Sequence, residues 1–353
     1  MEGARAEGSA PLSMPSFRLP TGPAAQPWCT APRSAAREQG IKALDVRRPT
    51  KRAVLVMNGR AGTLAGRPEL PRLILDALRT AGFDLTVIAE DAAPDMGGRV
   101  EAAIATDAPV IIVGGGDGTI RSVGARLAES GRTLAVLPLG TLNLLARDLG
   151  MPLDPVEAAL ALGRSEPRAI DVGEVNGEAF FCQSVIGLPN TINRYRELHR
   201  REKSWRSLLR VFAAAIRTLL RQRPHRLMIN APGWHKPWRI WTRALSVVNN
   251  DYEEGTGRMF HRPCLDGGAL HLYVSRRFSI GWSAKMLLSM ALGMWKRSRE
   301  IEIVSGPAFI IRSRRKSLRV MNDGEAFILR TPLQYAIRPR ALTVLAPPPA
   351  AAG

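Results

Sequence analysis

The chain has 353 residues, with 50 Lys and Arg against 31 Asp and Glu, a formal charge of +19, and 45% hydrophobic residues. This is the composition of an ordinary globular protein with room for two domains, and the basic excess points to an anionic partner: nucleic acid, a phosphorylated ligand or an anionic membrane surface. No run of about 18 uncharged apolar residues is present, which argues against a membrane-crossing helix, and Cys29, Cys182 and Cys264 are too few and too scattered for a disulfide framework, which fits a reducing compartment.

Residues 1–50 lack the apolar core of a secretory signal and are rich in Pro, Ala, Ser and Gly, so a disordered tail is expected. Then "RAVLVMN" reads as a strand ending at Asn58-Gly59. A helix follows, entered at Pro68, with Leu70, Leu73, Ile74, Ala77 and Leu78 on one face and Gly82 as its stop. "FDLTVIA" is the next strand, Val100, Ala103 and Ile104 mark a second helix, and "PVIIV" a third strand. A helix from Ile120 to Ser130, the strand "TLAVLPL" and the helix "TLNLLARDLG" complete the series. This alternation predicts an α/β domain over 51–168, with a parallel sheet and helices on both faces.

Beyond residue 169 the pattern changes. Asn176-Gly177 between apolar runs signals a hairpin, and "HRLMIN", "WRIWTRALSVVN", "GALHLYVS", "IEIVS", "AFIIRS", "SLRVMN" and "AFILR" read as strands. Two helical stretches, 204–223 and 280–297, interrupt them. A mainly antiparallel β-sandwich or flattened barrel is expected over 169–313, then a C-terminal segment over 314–347 that completes the active site, and a frayed tail over 348–353.

The most informative stretch is "VIIVGGGDGTI", Val110 to Ile120. A buried strand that ends in glycines lets backbone amides approach a ligand without interference from Cβ, and a helix starting there adds its positive end. Polyphosphate suits such a loop. Asp117 would repel phosphate directly and so works through Mg²⁺, water or a substrate hydroxyl, while Thr119 caps the helix or bonds a phosphate oxygen. The plainer alternative is a tight strand-to-helix turn. Neither Gly-Lys-Ser/Thr nor an acid closing the next strand is present, so the loop is neither a P-loop nor a dinucleotide fingerprint. One βα unit later, "PLGTLNLLARDLG" again sets Gly140 and Thr141 at a strand-to-helix junction, with Asn143 and Arg147 behind them. Neighbouring parallel strands bring both junctions to one sheet edge, where a nucleotide would bind.

"GGGDGT" followed by "PLGTLNLLAR" resembles the catalytic-domain family of diacylglycerol kinases and sphingosine (long-chain-base) kinases, in particular its bacterial lipid kinase branch. "NGRAG" at Asn58–Gly62, "RPCLDGGALHLYV" and "NDGEAF" at Asn322–Phe327 follow the family's other motifs in order. The resemblance implies an NAD kinase-like nucleotide domain, a β-rich lipid-side domain and C-terminal strands that return to the first. It implies ATP as phosphoryl donor and Mg²⁺, with Gly115, Gly116, Asp117, Gly118 and Thr119 at the phosphates and Asn58, Gly140, Thr141 and Asn143 lining the nucleotide. Asp323 would be the general base toward a lipid hydroxyl and Glu325 its metal or hydrogen-bond companion, with Asp117 and Glu325 as the metal ligands. An alcohol must lose its proton as phosphoryl transfers, which a carboxylate can accept. The sequence departs from the family at Leu144, where an acid is usual, and at Gly267 and His271, so a second, structural Mg²⁺ near Asp266 is not expected.

On the lipid side, "SWRSLLRVFAAAIRTLLRQR" sets Trp205, Leu208, Leu209, Phe212, Ile216, Leu219 and Leu220 on one helical face and Arg206, Arg210, Arg217 and Arg221 on another. This suits an anionic membrane surface or a core-packing helix. "WSAKMLLSMALGMWKR" lines an acyl pocket or belongs to the core, and Trp234, Trp238 and Trp241 anchor at the interface or are structural. The expected partners are therefore a membrane lipid substrate and an anionic membrane surface, with the protein cytoplasmic or peripheral at the inner membrane face. A homodimer is compatible with the chain, and no motif supports nucleic acid. The rival readings are an NAD kinase-like enzyme, disfavoured by "GTLNLLAR", and a basic membrane-binding protein that keeps the fold without chemistry.

Overall fold

A computed structural model of the chain describes residues 51–59, 61–64, 66–93, 95–187, 224–255, 261–275, 280–298 and 300–348. The tail expected over 1–50, the arginine-rich helix expected over 204–223 and positions 349–353 lie outside these residues.

Strands β1 (Lys51–Met57), β2 (Phe83–Val87), β3 (Val110–Gly115) and β4 (Thr133–Pro138) alternate with helices α1 (Leu70–Thr80), α2 (Met96–Ile104) and α3 (Asp117–Leu127). The strands lie in the order β2-β1-β3-β4, all parallel. Val54 to Val56 and Ile111 to Val113 are buried because helices cover both faces of the sheet, which is why these strands read as continuous apolar runs. From β1 the chain moves outward to β2; from β2 it passes back over β1 to β3. Right-handed crossovers then set α1 on one face and α2 and α3 on the other. The reversal falls between β1 and β3, so the ends of those strands open the crevice where sheets of this kind take ligands.

Local details differ from expectation. Helix α1 carries Pro71, not Pro68, in its first turn, and Leu73 is 48% exposed while Leu70, Ile74, Ala77 and Leu78 are buried, a narrower stripe than the one anticipated. Helix α3 starts at Asp117 rather than Ile120 because extended Gly116 serves as its N-cap, which places "DGT" in the first turn. The next helix, α4, spans only Leu144–Asp148. Helix α5 (Pro155–Leu162) was not anticipated, although Asp154 caps it by accepting from the amides of Val156 (2.9 Å) and Glu157 (3.0 Å), with Pro155 in its first turn.

The remaining strands are β5 (Glu166–Val175), β6 (Glu178–Phe180), β7 (Gln183–Ile186), β8 (His225–Asn230), β9 (Trp238–Thr242), β10 (Leu245–Asn249), β11 (Leu270–Ser275), β12 (Ile301–Gly306), β13 (Ala308–Ser313), β14 (Ser317–Asn322), β15 (Glu325–Arg330) and β16 (Leu333–Ala346). The first sheet continues from β4 through β16-β13-β8-β9, with β5 paired to β16 and β6 to β5. A second, antiparallel sheet runs β12-β11-β10-β7-β14-β15. Phe180, Ile229, Val247, Leu272, Phe309 and Val320 fill the space between them, giving the expected sandwich. The stretch "WRIWTRALSVVN" is two strands rather than one: it breaks at Arg243-Ala244, where Thr242 Oγ1 bonds the Ala244 carbonyl (2.7 Å), and passes from one sheet to the other.

The two lobes share β16, which pairs antiparallel with β13 and β5 and parallel with β4. Of the C-terminal segment, β16 thus returns to the α/β lobe, while β14 and β15 stay in the second sheet. A bulge interrupts β16 between Arg338 and Leu342, with Arg340 at φ 51°. Asp171, 1% exposed, secures it by accepting from the amides of Arg340 (2.8 Å) and Gly268 (2.7 Å) and from Asn250 Nδ2 (3.0 Å).

Helix α6 (Ile280–Ala291) divides the two roles expected of its segment. Met286 and the following Trp295 are buried with Tyr252 and Tyr273, whereas Leu288 and, just past the helix, Leu292 and Met294 are exposed. Trp234 packs edge-on against Phe309, while Trp241 is 61% exposed under the Arg226 guanidinium. Cys182 is free and buried. Among the described residues no helix is long and apolar enough to cross a membrane.

Tyr335 of β16 reaches across the sandwich to share a 3.0 Å hydrogen bond with Ser184 Oγ of β7, both groups being buried. Tyr335→Phe strands the Ser184 hydroxyl and is expected to cost about 1–3 kcal/mol in urea unfolding, most of which Ser184→Ala recovers in the double variant. Strictly additive losses would show that the two groups do not interact.

Candidate active site

Three loops meet at the C-terminal edge of the parallel sheet. The Asn58 amide donates to the Gly114 carbonyl (2.8 Å), the Leu139 amide to Gly115 (3.1 Å), and Thr63 Oγ1 to Leu139 (3.0 Å). The two glycine loops touch backbone to backbone: a Cβ on Gly140 would fall 2.6 Å from the Gly116 Cα. Asn143, left-handed at φ 50°, folds back on its own loop, accepting from the Gly140 amide (2.8 Å) and donating to the Gly140 carbonyl (3.1 Å).

Asp117 binds these loops together. Its Oδ2 accepts from the Asn143 amide (3.1 Å) and its Oδ1 from the Leu144 amide (2.6 Å), so a side chain in the first turn of α3 caps the start of α4. Hydrogen bonds to a carboxylate contribute about 1.5–3 kcal/mol each. Leu144 lacks the acid usual at its position, yet the group that Asp117 uses there is the backbone amide, which leucine supplies equally well.

The β14–β15 hairpin brings in the other acids from the sandwich. Asp323 (φ 47°) and Gly324 (φ 90°) make its turn. Asp323 is 4% exposed, and its carboxylate accepts from three successive amides, Phe181 (2.6 Å), Cys182 (2.9 Å) and Gln183 (2.9 Å). Burial pushes its pKa up, against the pull of those amides and of the Arg262 charge. Glu325, two residues on, is in a different setting. Its side chain is 47% exposed and lies on the first turn of α3, so close that a Cβ on Gly118 would collide with Oε1. Arg121 Nη2 pairs with Oε2 (2.9 Å), its Nη1 lies 3.6 Å from Glu178, and its guanidinium sits over the Phe327 ring.

Behind these groups is a fully buried ion pair. Arg262 is 1% exposed; its Nε (3.0 Å) and Nη2 (2.6 Å) donate to Asp148 Oδ2, and its own amide donates to Oδ1 (3.1 Å). Its Nη1 donates to the carbonyls of Phe181 and Asn249 (both 2.6 Å), and Nη2 lies 3.2 Å from Cys182 Sγ. Burial opposes the Arg262 charge, but the Asp148 carboxylate outweighs it and drives its pKa up. The Cys182 thiol is pushed up by burial, against Arg262 and with the help of Asp323, Asp148 and Asp117. The nearest of these carboxylates is Asp148, whose Oδ2 lies 3.8 Å from the sulfur.

The structure thus collects Asn58, Gly115, Gly116, Asp117, Gly118, Thr119, Gly140, Thr141 and Asn143 along one edge, with Thr141 exposed and Thr119 half-buried in the first turn of α3. Glu325 joins them over Gly118. Asp323 reaches the same region from the buried side, its carboxylate engaged by backbone. Among the described residues no three His, Cys, Asp or Glu side chains group as a metal cluster. At Asp266 the nearby cation is Arg340 (3.8 Å), and His271 faces Asp251 (3.7 Å). Sequence reasoning missed Arg121, Asp148 and Arg262. Arg121 carried a signal, one helical turn after Asp117 on the same face; Arg262, in an irregular loop, carried none.

Residues 52–175 match the Diacylglycerol kinase catalytic domain family, and residues 188–346 match the YegS C-terminal NAD kinase beta sandwich-like domain family. A protein named "Probable lipid kinase YegS-like" from Pseudomonas aeruginosa is 41% identical over 144 residues, 40% of this chain and 46% of that protein. One of the same name from Klebsiella pneumoniae is 29% identical over 229 residues, 63% of this chain and 73% of that protein. The chain thus spans just under half the length of the Pseudomonas aeruginosa relative that it matches. The crystal structure of a diacylglycerol kinase from Bacillus anthracis superposes with a TM-score of 0.63 at 24% identity, over 84% of this chain and 97% of that one; at this identity the likeness is one of fold.

Asp117→Ala removes both acceptors at the start of α4 and is expected to lower stability by about 2–4 kcal/mol, whereas Asp117→Asn keeps one acceptor and loses about half as much. Equal losses in chemical denaturation would show that the charge alone matters, not the two amide bonds.

Proposed function

We propose, on the premise that this chain belongs to the family that joins a diacylglycerol kinase catalytic domain to a YegS-type β-sandwich, that it is an ATP-dependent kinase of a lipid hydroxyl. The observation that carries this reading is the contact of the two glycine loops with Asp117 between them. Such a junction offers the first-turn amides of α3 to a triphosphate tail, with no Cβ in the way, while Asp117 engages the amides that open α4. The acids carried by the β14–β15 hairpin lie on the side from which an acceptor would come.

In this reading Gly115, Gly116, Gly118 and Thr119 grip the phosphates, and Asn58, Gly140, Thr141 and Asn143 flank the nucleotide. Asp323 takes the acceptor's proton. Three amides occupy three of the roughly four lone-pair positions of its carboxylate, so the hydroxyl has one direction of approach. Arg121 fixes Glu325 against Gly118. Mg²⁺ is commonly held by one or two carboxylates together with substrate phosphates and water. Asp117 and Glu325 fit that mode as carboxylates on the first turn of α3 and over Gly118. They would hold the ion, and it would supply charge neutralisation at the transferring phosphoryl group. The acceptor is read as the hydroxyl of diacylglycerol or of a sphingoid-type lipid, met at an anionic membrane surface. The charge of +19 and the exposed Trp241, Leu288, Leu292 and Met294 support that setting.

The test is transfer of labelled phosphoryl from ATP, with Mg²⁺, to diacylglycerol or sphingoid base in mixed micelles. Phosphorylated lipid is expected, and in folded variants Asp323→Asn lowers turnover by about 100-fold or more. Gly140→Ala, which forces the loops apart, weakens ATP binding about tenfold by calorimetry while leaving the lipid KM within about twofold. Phosphorylation of NAD in place of lipid, or no ATP binding at all, would falsify the proposal.

A further inference from the structure

The acids assigned to the two reactants, Asp117 on the phosphate side and Asp323 on the acceptor side, come from different lobes, so something must fix the distance between them. A continuous path of short contacts joins them. Asp117 is held by the amides of Asn143 and Leu144, at the start of α4. Asp148 is the last residue of that same five-residue helix. Its carboxylate receives three hydrogen bonds from Arg262, at 2.6, 3.0 and 3.1 Å. Arg262 in turn holds the Phe181 carbonyl at 2.6 Å and touches Cys182 Sγ at 3.2 Å. The amides of Phe181 and Cys182 are two of the three that hold Asp323.

We propose that Arg262 and Asp148 are a positioning pair, which with α4 forms a strut setting the separation of Asp117 from Asp323 across the two lobes. This rests on the kinase reading for the roles of the two acids, though not for the strut itself. The geometry suits the task. A helix of five residues is a rigid spacer roughly 7 Å long, and the planar guanidinium fork fixes direction as well as distance, which an ammonium cannot do. Stability gives no independent reason for the pair, because burying two charges is often no better than filling the same space with apolar groups. Arg262 further fixes the Asn249 carbonyl at 2.6 Å, which ties the strut to β10 of the second sheet.

A purely structural pair and a positioning pair are separated by removing both charges together. Arg262→Met combined with Asp148→Leu is expected to melt within a few degrees of wild type. Hydrogen–deuterium exchange of the amides of Asn143, Leu144, Phe181 and Cys182 should then quicken together by about tenfold or more, with those of β3 and β4 unchanged. In the lipid kinase assay kcat should fall about 100-fold with KM for ATP within about twofold, the mark of misplaced groups rather than lost binding. A double variant with wild-type exchange and wild-type kcat overturns the proposal. If that variant does not fold, Arg262→Lys takes its place, since it keeps the charge and loses the fork. The same exchange pattern and kcat loss are expected of it, and wild-type values again overturn the inference. Should the wild-type protein transfer phosphoryl to no lipid, the kinase reading fails by itself, and the exchange measurement still decides whether the strut exists.

Discussion

A carboxylate placed at the start of one helix and engaged by the first amides of another constrains everything around it. In this protein Asp117 belongs to α3 and caps α4, so the two glycine-bearing strand ends cannot move independently. The positive end of α3 faces this junction, and Asp117 in its first turn offsets part of that field while satisfying the amides that open α4. An anion bound there is drawn by the α3 dipole and meets one fixed negative charge, an arrangement suited to a ligand that arrives with its own cation. The glycines are necessary because the two backbones touch, leaving no room at Gly140 for a side chain.

The sandwich contributes chemistry through a single hairpin. Two residues apart, Asp323 and Glu325 occupy opposite electrostatic settings, one buried among amides and the other half-exposed beside an arginine. The separation follows from the turn: Asp323 points inward at the corner, while Glu325 opens β15 and reaches to α3. A short segment thereby offers two carboxylates in contrasting surroundings, one buried and held by backbone and one paired with an arginine at the surface.

How much of this could be read from the amino acids depended on the range of the interaction involved. The parallel sheet was legible because both of its faces are buried, which leaves runs such as Val110–Val113 with no polar interruption. The meeting of the two glycine loops followed from adjacency in a parallel sheet. The start of α3 was misjudged because Gly116, Asp117 and Gly118 have weak helix preferences that the capped context overrides. The stretch from Trp238 to Asn249 looked like one strand because periodicity cannot show a change of sheet at Arg243. Arg262 and Asp148 were invisible for a stronger reason. They lie 114 residues apart in the chain, in segments whose local pattern says only loop and helix end, and their pairing exists only once both lobes have docked.

Strand β16 carries a further consequence. A continuous polypeptide ladder crosses from one lobe to the other, and its only irregularity is the bulge at Pro339-Arg340, clamped by the buried Asp171. Rigid-body opening about an interlobe hinge would have to pivot at that bulge and break the clamp. Relative motion of the lobes is therefore opposed both by the paired ladder on either side of the bulge and by the three hydrogen bonds that Asp171 accepts there.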